Sequence, residues 1–289
     1  MKALTVDAQG LLSLQELPIP SYGACQALVK MRSCGVCSGT DMKLIHHTFK
    51  NFDTYPAILG HEGVGEVVEI GEKVENLRRG DLVLLPFLEG KIGEYTPGWG
   101  AYSEYALVGD AEAYIRCGMG PGTKQWSEGY LAQTVLGPED RVNPVEAAMI
   151  VTFREVLSAI RRFGFQPNQN IVVLGAGPVG LCFTRFLKLL GIKTVITTDI
   201  LDEKVETALE MGADYAFNSA KCDIIHEVRT LFPDGVDAVV DAVGVNALLN
   251  QAMQMMCSHG KICGYGISPK LSVNLDWSNA PYNWSLHFI

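Results

Sequence analysis

The sequence has few cysteines and lacks the long apolar runs that mark several protein classes. Its eight cysteines in 289 residues are too sparse for a disulfide framework, and Cys34 and Cys37 are the one closely spaced pair. No stretch of about 18 residues is both apolar and uncharged, and the residues after Met1 contain no apolar core of signal-peptide length. These absences exclude disulfide-rich and membrane-spanning classes and make the cytoplasm the expected location.

Positive charge is also scarce. The chain has 23 Lys and Arg against 32 Asp and Glu, a formal net charge of −9. Because a negative surface repels phosphate groups, neither a nucleic acid nor an anionic membrane is an expected partner. The composition is otherwise that of a globular protein, with 48% apolar residues. At roughly 150 residues per domain, the length predicts about two domains.

The first part of the chain, residues 1–143, predicts an all-β domain. Runs of β-branched residues there indicate short strands separated by glycine-containing turns. These runs are Ala27–Met31, Gly63–Ile70 and Asp81–Leu85. Pro144 begins a different pattern, in which apolar residues recur at helical spacing as far as Phe163, before Gly164. We place the domain boundary before this helix, so that residues 144–289 form the second domain.

Strands and helices alternate in the second domain. The predicted strands are Ile171–Leu174, Thr194–Thr198, Ala238–Val240 and Lys261–Cys263. The predicted helices are Pro178–Leu190, Asp202–Met211 and Leu248–Cys257. This order predicts an α/β domain with a doubly wound parallel sheet.

A glycine-rich turn follows the first of these strands and opens a helix. It consists of Gly175, Ala176, Gly177, Pro178, Val179 and Gly180. The first glycine permits a tight turn, the second lets the backbone approach a pyrophosphate, and the third lets the helix pack closely on the strand. Asp199 ends the next strand about 20 residues later, where an acid accepts hydrogen bonds from an adenosine ribose. The pattern predicts a dinucleotide site. An acid at this position favours NAD over NADP, because it repels the 2′-phosphate of NADP. The other interpretation is a glycine turn that serves packing alone.

Two short segments of the first domain carry the chemistry of zinc ligands. Cys37 and Thr40 lie in Cys-Gly-Val-Cys-Ser-Gly-Thr-Asp, and His61 and Glu62 lie in Gly-His-Glu-Gly. Zinc is bound by thiolate, imidazole and carboxylate groups, and a catalytic site keeps one position open. Each segment alone has another interpretation, because a Cys-x-x-Cys pair can be a redox pair or half of a structural zinc site, and a single histidine is more often a core or turn residue.

Together, these segments and the glycine turn resemble the medium-chain dehydrogenase/reductase superfamily, especially its zinc-dependent alcohol and polyol dehydrogenases. The resemblance covers nearly the whole chain and includes Gly-His-Glu-Gly-Val-Gly-Glu-Val-Val, Ala-Tyr-Ser-Glu-Tyr and Gly-Ala-Gly-Pro-Val-Gly. It implies a GroES-like β-barrel domain followed by a Rossmann domain. It also implies a homo-dimer or homo-tetramer that pairs through the edge of the Rossmann sheet, near Asn274–Phe288.

The resemblance also implies roles for individual residues. The candidate ligands of one catalytic zinc are Cys37, His61 and Glu62. Thr40 resembles the hydroxyl residue that relays a proton from the alcohol, Val243 is a candidate cofactor contact, and Gly266 lies in the segment that borders the nicotinamide. The implied reaction is hydride transfer from an alcohol to NAD, with zinc lowering the pKa of the alcohol.

Two departures from the family pattern concern the catalytic zinc. Two residues follow Cys37 before the Thr-Asp pair, where the family usually has one, and this could move Cys37 out of ligand geometry. The third protein ligand is expected at Val151 or Thr152, and neither side chain binds zinc well. Glu155, one turn later in the helix, is a possible substitute.

Three other departures concern the segments around the site. No cysteine occurs in residues 88–100, so no structural zinc is expected. Residues 109–136 form a longer connection than usual, which suits a lid, an oligomer contact or a surface excursion. Relatives are expected to continue for roughly 50 residues, part of a domain, beyond Ile289, so the chain is a fragment or leaves part of the substrate cleft uncovered.

Three functions remain open from the sequence. The main hypothesis is an NAD-dependent, zinc-assisted dehydrogenase that interconverts a small alcohol or polyol and its carbonyl compound. The missing third ligand favours a zinc-free reductase of enones or quinones within the same superfamily. The altered cysteine spacing favours a dinucleotide-binding regulatory protein without turnover.

Overall fold

The computed structural model describes residues 1–138, 141–266, 268, 270 and 272–288. The chain divides into two compact units, Met1–Val151 and Thr152–Ile289. The division falls within a helix that the sequence analysis assigned to the second domain. No helix in the described part of the chain is long and apolar enough to cross a membrane.

The first unit is built mainly of short strands. Its strands are β1 (Lys2–Val6), β2 (Leu12–Glu16), β3 (Gln26–Gly35), β4 (Ala57–Ile58), β5 (Glu62–Ile70), β6 (Asp81–Leu84), β7 (Thr96–Pro97), β8 (Tyr105–Gly109) and β9 (Thr134–Pro138). Its helices are α1 (Ser38–Ile45), α2 (Ala111–Arg116), α3 (Gly129–Ala132) and α4 (Pro144–Ala147), and α5 (Met149–Phe163) continues into the second unit. The strands form two sheets, in the orders β2-β1-β4-β7 and β8-β3-β5-β6-β9. The predicted sheet-based character of the first domain is confirmed.

The pairing of β3 with β5 determines where the candidate ligands lie. These strands are antiparallel, with Cys34 opposite Gly63 and Gly35 opposite Glu62. β3 leads into α1, and Cys37 is the residue that precedes the first turn of that helix. The end of β3 and the start of β5 therefore bring the two predicted zinc-ligand segments together at one end of the sheet.

The long connection from Gly109 to Leu136 is packed within the first unit. It contains α2 and α3, whose Tyr114 and Tyr130 rings are buried and stacked with centroids 4.6 Å apart. The hydroxyl of Tyr130 donates a hydrogen bond to Glu89. These contacts attach the connection to the core through its aromatic side chains.

The second unit is a six-stranded sheet with helices between the strands. Its strands are β10 (Asn170–Leu174), β11 (Thr194–Asp199), β12 (Tyr215–Asn218), β13 (Val236–Asp241), β14 (Met256–Gly264) and β15 (Trp284–Phe288). Its helices after α5 are α6 (Pro178–Leu189), α7 (Asp202–Glu210), α8 (Ile224–Leu231) and α9 (Asn246–Met255). The strand order is β12-β11-β10-β13-β14-β15, and every pairing in this sheet is parallel. The predicted doubly wound fold is confirmed. β12 and α8 are additions that the sequence analysis did not make, and β15 lies within the segment that it placed at the edge of the sheet.

Alternating side chains of β10 fill the cores on both faces of this sheet. Ile171 and Val173 pack with one group of helical residues, which includes Phe183 of α6. Val172 and Leu174 pack with another, which includes Met253 of α9. Because both faces are covered, the strand is apolar from Ile171 to Leu174, as parallel strands usually are.

Replacement of Phe183 tests the first of these cores. Phe183 is fully buried, with its ring centroid 6.5 Å from that of Phe163 and 5.3 Å from that of Tyr265. We expect Phe183→Ala to lower the free energy of unfolding in urea by about 3–5 kcal/mol, because the vacated space cannot close fully. The control is Leu189→Ala on the same helix, which is 63% exposed and should change stability by less than about 0.5 kcal/mol. Equal effects of the two variants would contradict this packing.

Candidate functional site

Three potential metal ligands from the two predicted segments lie together in the first unit. The sulfur of Cys37, a ring nitrogen of His61 and a carboxylate oxygen of Glu62 are all within 4.8 Å of one another, and all three residues are partly buried. No other group of three such residues with this geometry occurs in the described part of the chain. The additional residue after Cys37 therefore leaves its sulfur close to the other two candidate ligands.

A buried carboxylate, Asp41, connects this cluster to the surrounding structure. Its Oδ1 lies 3.6 Å from Nδ1 of His61. Its Oδ2 accepts hydrogen bonds from the backbone N–H of Cys37 at 3.2 Å and from the hydroxyl of Tyr102 at 2.7 Å. A carboxylate beside one ring nitrogen of a histidine orients the ring and leaves the other nitrogen for a metal. The sequence analysis assigned no role to Asp41 or Tyr102, although both lie within segments that it quoted.

The donor atoms fit a zinc ion. Thiolate, imidazole and carboxylate are the three groups that bind zinc in proteins, and three protein ligands leave one position open. Nε2 of His61 lies 3.8 Å from Oε1 of Glu62, on the side of the ring away from Asp41. Nδ1 of His61 and Oδ1 of Asp41 are buried and face each other at 3.6 Å, slightly beyond hydrogen-bond distance.

The electrostatic environment shifts the pKa values of Cys34 and Cys37 in opposite directions. Burial opposes ionisation of Cys37, but hydrogen bonds from His61 and Thr40 outweigh it and hold the pKa of this thiol below its usual value. Burial lowers the pKa of His61, while Asp41 and Cys37 raise it more strongly, to about 10. For Cys34, burial raises the pKa to about 12. Cys37 is therefore the member of the pair that is prepared to act as a thiolate ligand.

Two further residues shape the surroundings of the cluster. Thr40 is half-buried in the first turn of α1, where its N–H donates to the carbonyl oxygen of Cys37 at 3.1 Å. Gly35 leaves room for Glu62, since a Cβ atom at position 35 would lie 2.3 Å from Oε2 of that carboxylate. The absence of a side chain at Gly35 thus allows the Glu62 carboxylate to lie against the backbone of β3.

The sequence analysis expected a third zinc ligand at Val151 or Thr152, with Glu155 as a possible substitute. Val151 and Thr152 are buried, and neither belongs to the metal-ligand cluster. Glu155 is exposed and accepts a hydrogen bond from the hydroxyl of Tyr265 at 3.2 Å, within the second unit. Within the first unit, the structure brings Glu62 together with Cys37 and His61.

The three glycines of the dinucleotide turn have three distinct environments. Gly175 has φ +95°, and a Cβ atom there would lie 2.5 Å from Cγ2 of Val243. A Cβ atom at Gly180 would lie 1.8 Å from the carbonyl oxygen of Gly175, so α6 approaches β10 more closely than a side chain allows. A Cβ atom at Gly177 would contact nothing within 4 Å. The tight turn at Gly175 and the close helix–strand contact at Gly180 are those that the sequence analysis described, and the approach of a pyrophosphate at Gly177 stays a prediction.

The other residues of the turn complete the junction between β10 and α6. Pro178 is in the first turn of α6, where a fixed φ suits the start of a helix. Val179 packs against the core beneath the helix. The N–H of Ala176 donates to Oδ2 of Asp199 at 2.7 Å, and the N–H of Leu201 donates to Oδ1 at 3.1 Å. Asp199 therefore fixes the turn, and each carboxylate oxygen keeps a lone pair for a ribose hydroxyl.

A second carboxylate, Asp241, organises the neighbouring strand ends. Its Oδ1 accepts from the N–H groups of Val243 and Gly244, both at 2.9 Å. Its backbone oxygen accepts from the N–H groups of Tyr265 and Gly266 at 3.0 and 2.9 Å. A Cβ atom at Gly266 would lie 2.1 Å from the nitrogen of Gly244. The predicted cofactor contacts Val243 and Gly266 thus meet at the carboxyl ends of β13 and β14.

A cavity lies at the same strand ends. It has a volume of about 350 Å³, and its lining includes Asp241, Gly244, Leu249, Tyr265 and Gly266. In parallel α/β sheets, ligands bind outside the carboxyl ends of the strands. The second unit therefore combines an open glycine turn, an acidic residue at the end of the next strand and a cavity at the carboxyl ends of β13 and β14. The sequence analysis did not single out Asp241.

Comparison with known proteins identifies two family models in the chain. The alcohol dehydrogenase GroES-like domain matches residues 23–147, and the zinc-binding dehydrogenase domain matches residues 178–284. The predicted fold of a GroES-like domain followed by a Rossmann domain is therefore confirmed.

Individual relatives agree with these models. An NAD-dependent alcohol dehydrogenase of Saccharolobus solfataricus is 30% identical over 287 aligned residues, which cover 89% of this chain and 75% of the relative. A sorbitol dehydrogenase of Bacillus subtilis is 28% identical over 289 aligned residues, which cover 98% of this chain and 78% of the relative. The crystal structure of a zinc-binding dehydrogenase from Sinorhizobium meliloti 1021, bound to NADP, superposes with a TM-score of 0.79 at 24% identity, covering 99% of this chain and 83% of that one.

Two glycine variants separate packing from ligand binding in the second unit. We expect Gly180→Ala to lower the free energy of unfolding by about 1–3 kcal/mol or more, because the new methyl group collides with backbone. Gly177→Ala should leave stability nearly unchanged, since its φ of −68° suits alanine and the surrounding space is open. It should nevertheless weaken NADH binding in a calorimetric titration, because the methyl group occupies the approach of the pyrophosphate. Unchanged NADH affinity in a folded Gly177→Ala protein would contradict the assigned site.

Proposed function

The chain belongs to the zinc-binding alcohol dehydrogenase family, and on that premise we propose its reaction. It interconverts a small alcohol and its carbonyl compound, with NAD⁺ as the hydride acceptor and NADH as the hydride donor. One zinc ion, held by Cys37, His61 and Glu62, assists the reaction. The chain is an oxidoreductase of alcohol or polyol substrates, as its relatives are. The observation that carries the proposal is the placement of one sulfur, one nitrogen and one oxygen donor within 4.8 Å.

Zinc at these three residues would polarise the substrate oxygen and lower the pKa of the alcohol, and NAD⁺ would supply the hydride acceptor. The protein's own residues prepare the site for this chemistry. Asp41 orients the ring of His61, and Tyr102 in turn fixes Asp41. The hydrogen bonds that lower the pKa of Cys37 favour its thiolate form. Thr40, half-buried beside Cys37, is our candidate to pass the proton of the alcohol toward solvent.

The preference for NAD over NADP is proposed from Asp199. Its carboxylate lies at the carboxyl end of β11 and is attached to the glycine turn through the N–H of Ala176. A 2′-phosphate placed beside it would meet a like charge that the protein holds in position. A ribose with both hydroxyls free would instead donate hydrogen bonds to it.

A zinc-free reductase is the second candidate function. The observation in its favour is that Val151, where the family's third ligand is expected, is a buried apolar side chain. The lowered pKa of Cys37 and the position of Glu62 support the zinc-dependent reaction instead. A regulatory role without turnover is not proposed, because the chain belongs to a family of oxidoreductases.

Self-association stays a prediction. The edge of the sheet that the sequence analysis placed near Asn274–Phe288 contains β15, which pairs with β14 on one side. An edge strand presents unpaired backbone groups that another strand can satisfy. We therefore propose a homo-dimer, or a tetramer made from such dimers.

Zinc content is the first test of the proposed function. We expect about one zinc per chain by elemental analysis of the purified protein, and loss of that zinc in Cys37→Ser and His61→Ala. The control is Cys117→Ser, an exposed cysteine of the same unit, which should keep its zinc. Oxidation of alcohols with NAD⁺ should be lost together with the metal.

Two results would contradict this assignment. Zinc that persists in both ligand variants would place the metal elsewhere. A folded wild-type protein that binds NADH but no zinc would favour the zinc-free reductase, and enones and quinones would then be its first substrates to assay.

The cofactor preference is tested with Asp199→Asn. Asparagine keeps an oxygen that can accept the N–H of Ala176 but removes the negative charge. We expect the ratio of kcat/KM for NAD⁺ to that for NADP⁺ to fall about tenfold or more. The control is Asp234→Asn, an equal change of charge at an exposed residue before the amino end of β13, which should leave the ratio unchanged. An unaltered ratio in Asp199→Asn would refute the role of this carboxylate.

A further inference from the structure

A group of aromatic side chains borders the metal-ligand cluster in the first unit. The ring of Trp99 lies beside that of His61, with centroids 5.5 Å apart and planes tilted by 50°. Phe49 contacts Trp99 edge to face, at a centroid distance of 5.7 Å. Phe49 itself packs against a buried cluster that includes Leu44 and Leu59. We call Trp99 and Phe49 the aromatic wall; it connects the core of the unit to the candidate metal site.

The backbone, and not burial of the ring, fixes the position of Trp99. Its side chain is 42% exposed, and its φ of +65° is unusual for a bulky residue. The carbonyl oxygen of Trp99 accepts a hydrogen bond from the N–H of Leu88 at 2.8 Å. The N–H of Gly98 donates to the carbonyl oxygen of Ile58, also at 2.8 Å. A strained backbone that is held by its neighbours and presents a large apolar ring to solvent suggests a functional position.

The chemistry of this surface discriminates between two classes of alcohol. The wall offers a ligand one polar group, the indole N–H of Trp99, since the ring of Phe49 has none. The hydroxyl of Tyr102 in the same unit is committed to Asp41 and to the carbonyl oxygen of Gly35. The several hydroxyl groups of a polyol placed against the wall would lose water and gain at most this one donor from it, which is costly. A planar hydrocarbon group would gain contact with two aromatic rings.

We propose that the aromatic wall forms one side of the substrate site and selects alcohols whose carbinol carbon bears an aromatic or other planar unsaturated group, in preference to polyols. This inference rests on the proposed function for the reaction itself. Trp99 is assigned as the specificity-determining residue, because it is the member of the wall that lies beside His61 and reaches solvent.

The kinetic test compares substrates in the zinc-loaded wild type and in variants of Trp99. We expect wild-type kcat/KM to be higher for benzyl alcohol than for sorbitol. Trp99→Ala should lower the ratio of the benzyl alcohol value to the ethanol value about tenfold or more, and it should leave zinc content unchanged. Trp99→Phe should retain most of the wild-type preference. An equal loss for benzyl alcohol and ethanol in Trp99→Ala, or a wild-type preference for sorbitol, would overturn the proposal.

A binding measurement decides the same inference without turnover. The probe is 4-nitrobenzyl alcohol, a nitroaromatic quencher of tryptophan emission, titrated into the zinc-loaded protein without NAD⁺. We expect saturable quenching in the wild type that is lost in Trp99→Phe and kept in Trp277→Phe, whose tryptophan is 73% exposed in the second unit. Quenching that does not depend on Trp99 would overturn the inference even if alcohols are oxidised. Quenching that depends on Trp99 without oxidation of any alcohol would support the wall and contradict the proposed reaction.

Discussion

The buried carboxylate of Asp41 joins the three parts of the first unit that form the candidate metal site. It accepts hydrogen bonds from the start of α1 at Cys37 and from Tyr102, and it faces His61 just before β5. A buried charge is costly unless it is paired and hydrogen-bonded, so these contacts constrain one another. The positions of the thiol, the imidazole and Glu62 all depend on this arrangement, together with the register that places Gly35 opposite Glu62.

The second unit uses carboxylates in a comparable way. Asp199 accepts a backbone N–H from the glycine turn, and Asp241 accepts two from the turn that follows β13. Each stands at the carboxyl end of a parallel strand, where the chain leaves the sheet and its backbone donors lose their ladder partners. The glycines then permit close approach of the strand ends, as at Gly266 against Gly244. Acidic side chains and glycines thus build the proposed cofactor surface mainly from backbone.

Much of this arrangement could be predicted from the sequence, because it follows from local patterns. Periodicity identified the main strands and helices of the second unit, and residue chemistry together with a family resemblance identified Cys37, His61 and Glu62. The additional residue after Cys37 looked disruptive, but the chain enters α1 directly after Cys37, and the sulfur stays beside His61. By contrast, β12 was missed because its four residues, from Tyr215 to Asn218, include none that is fully buried. Asp41, Tyr102 and Trp99 were missed because their roles depend on contacts between distant parts of the chain.

The most direct test of the account is the X-ray absorption spectrum of zinc in the purified wild-type protein. The account predicts a single sulfur neighbour at about 2.3 Å, from Cys37, and nitrogen or oxygen neighbours at about 2.0–2.2 Å, from His61, Glu62 and the open position. A zinc ion without a sulfur neighbour, or one surrounded by several sulfurs, would contradict the site on which the proposed function depends.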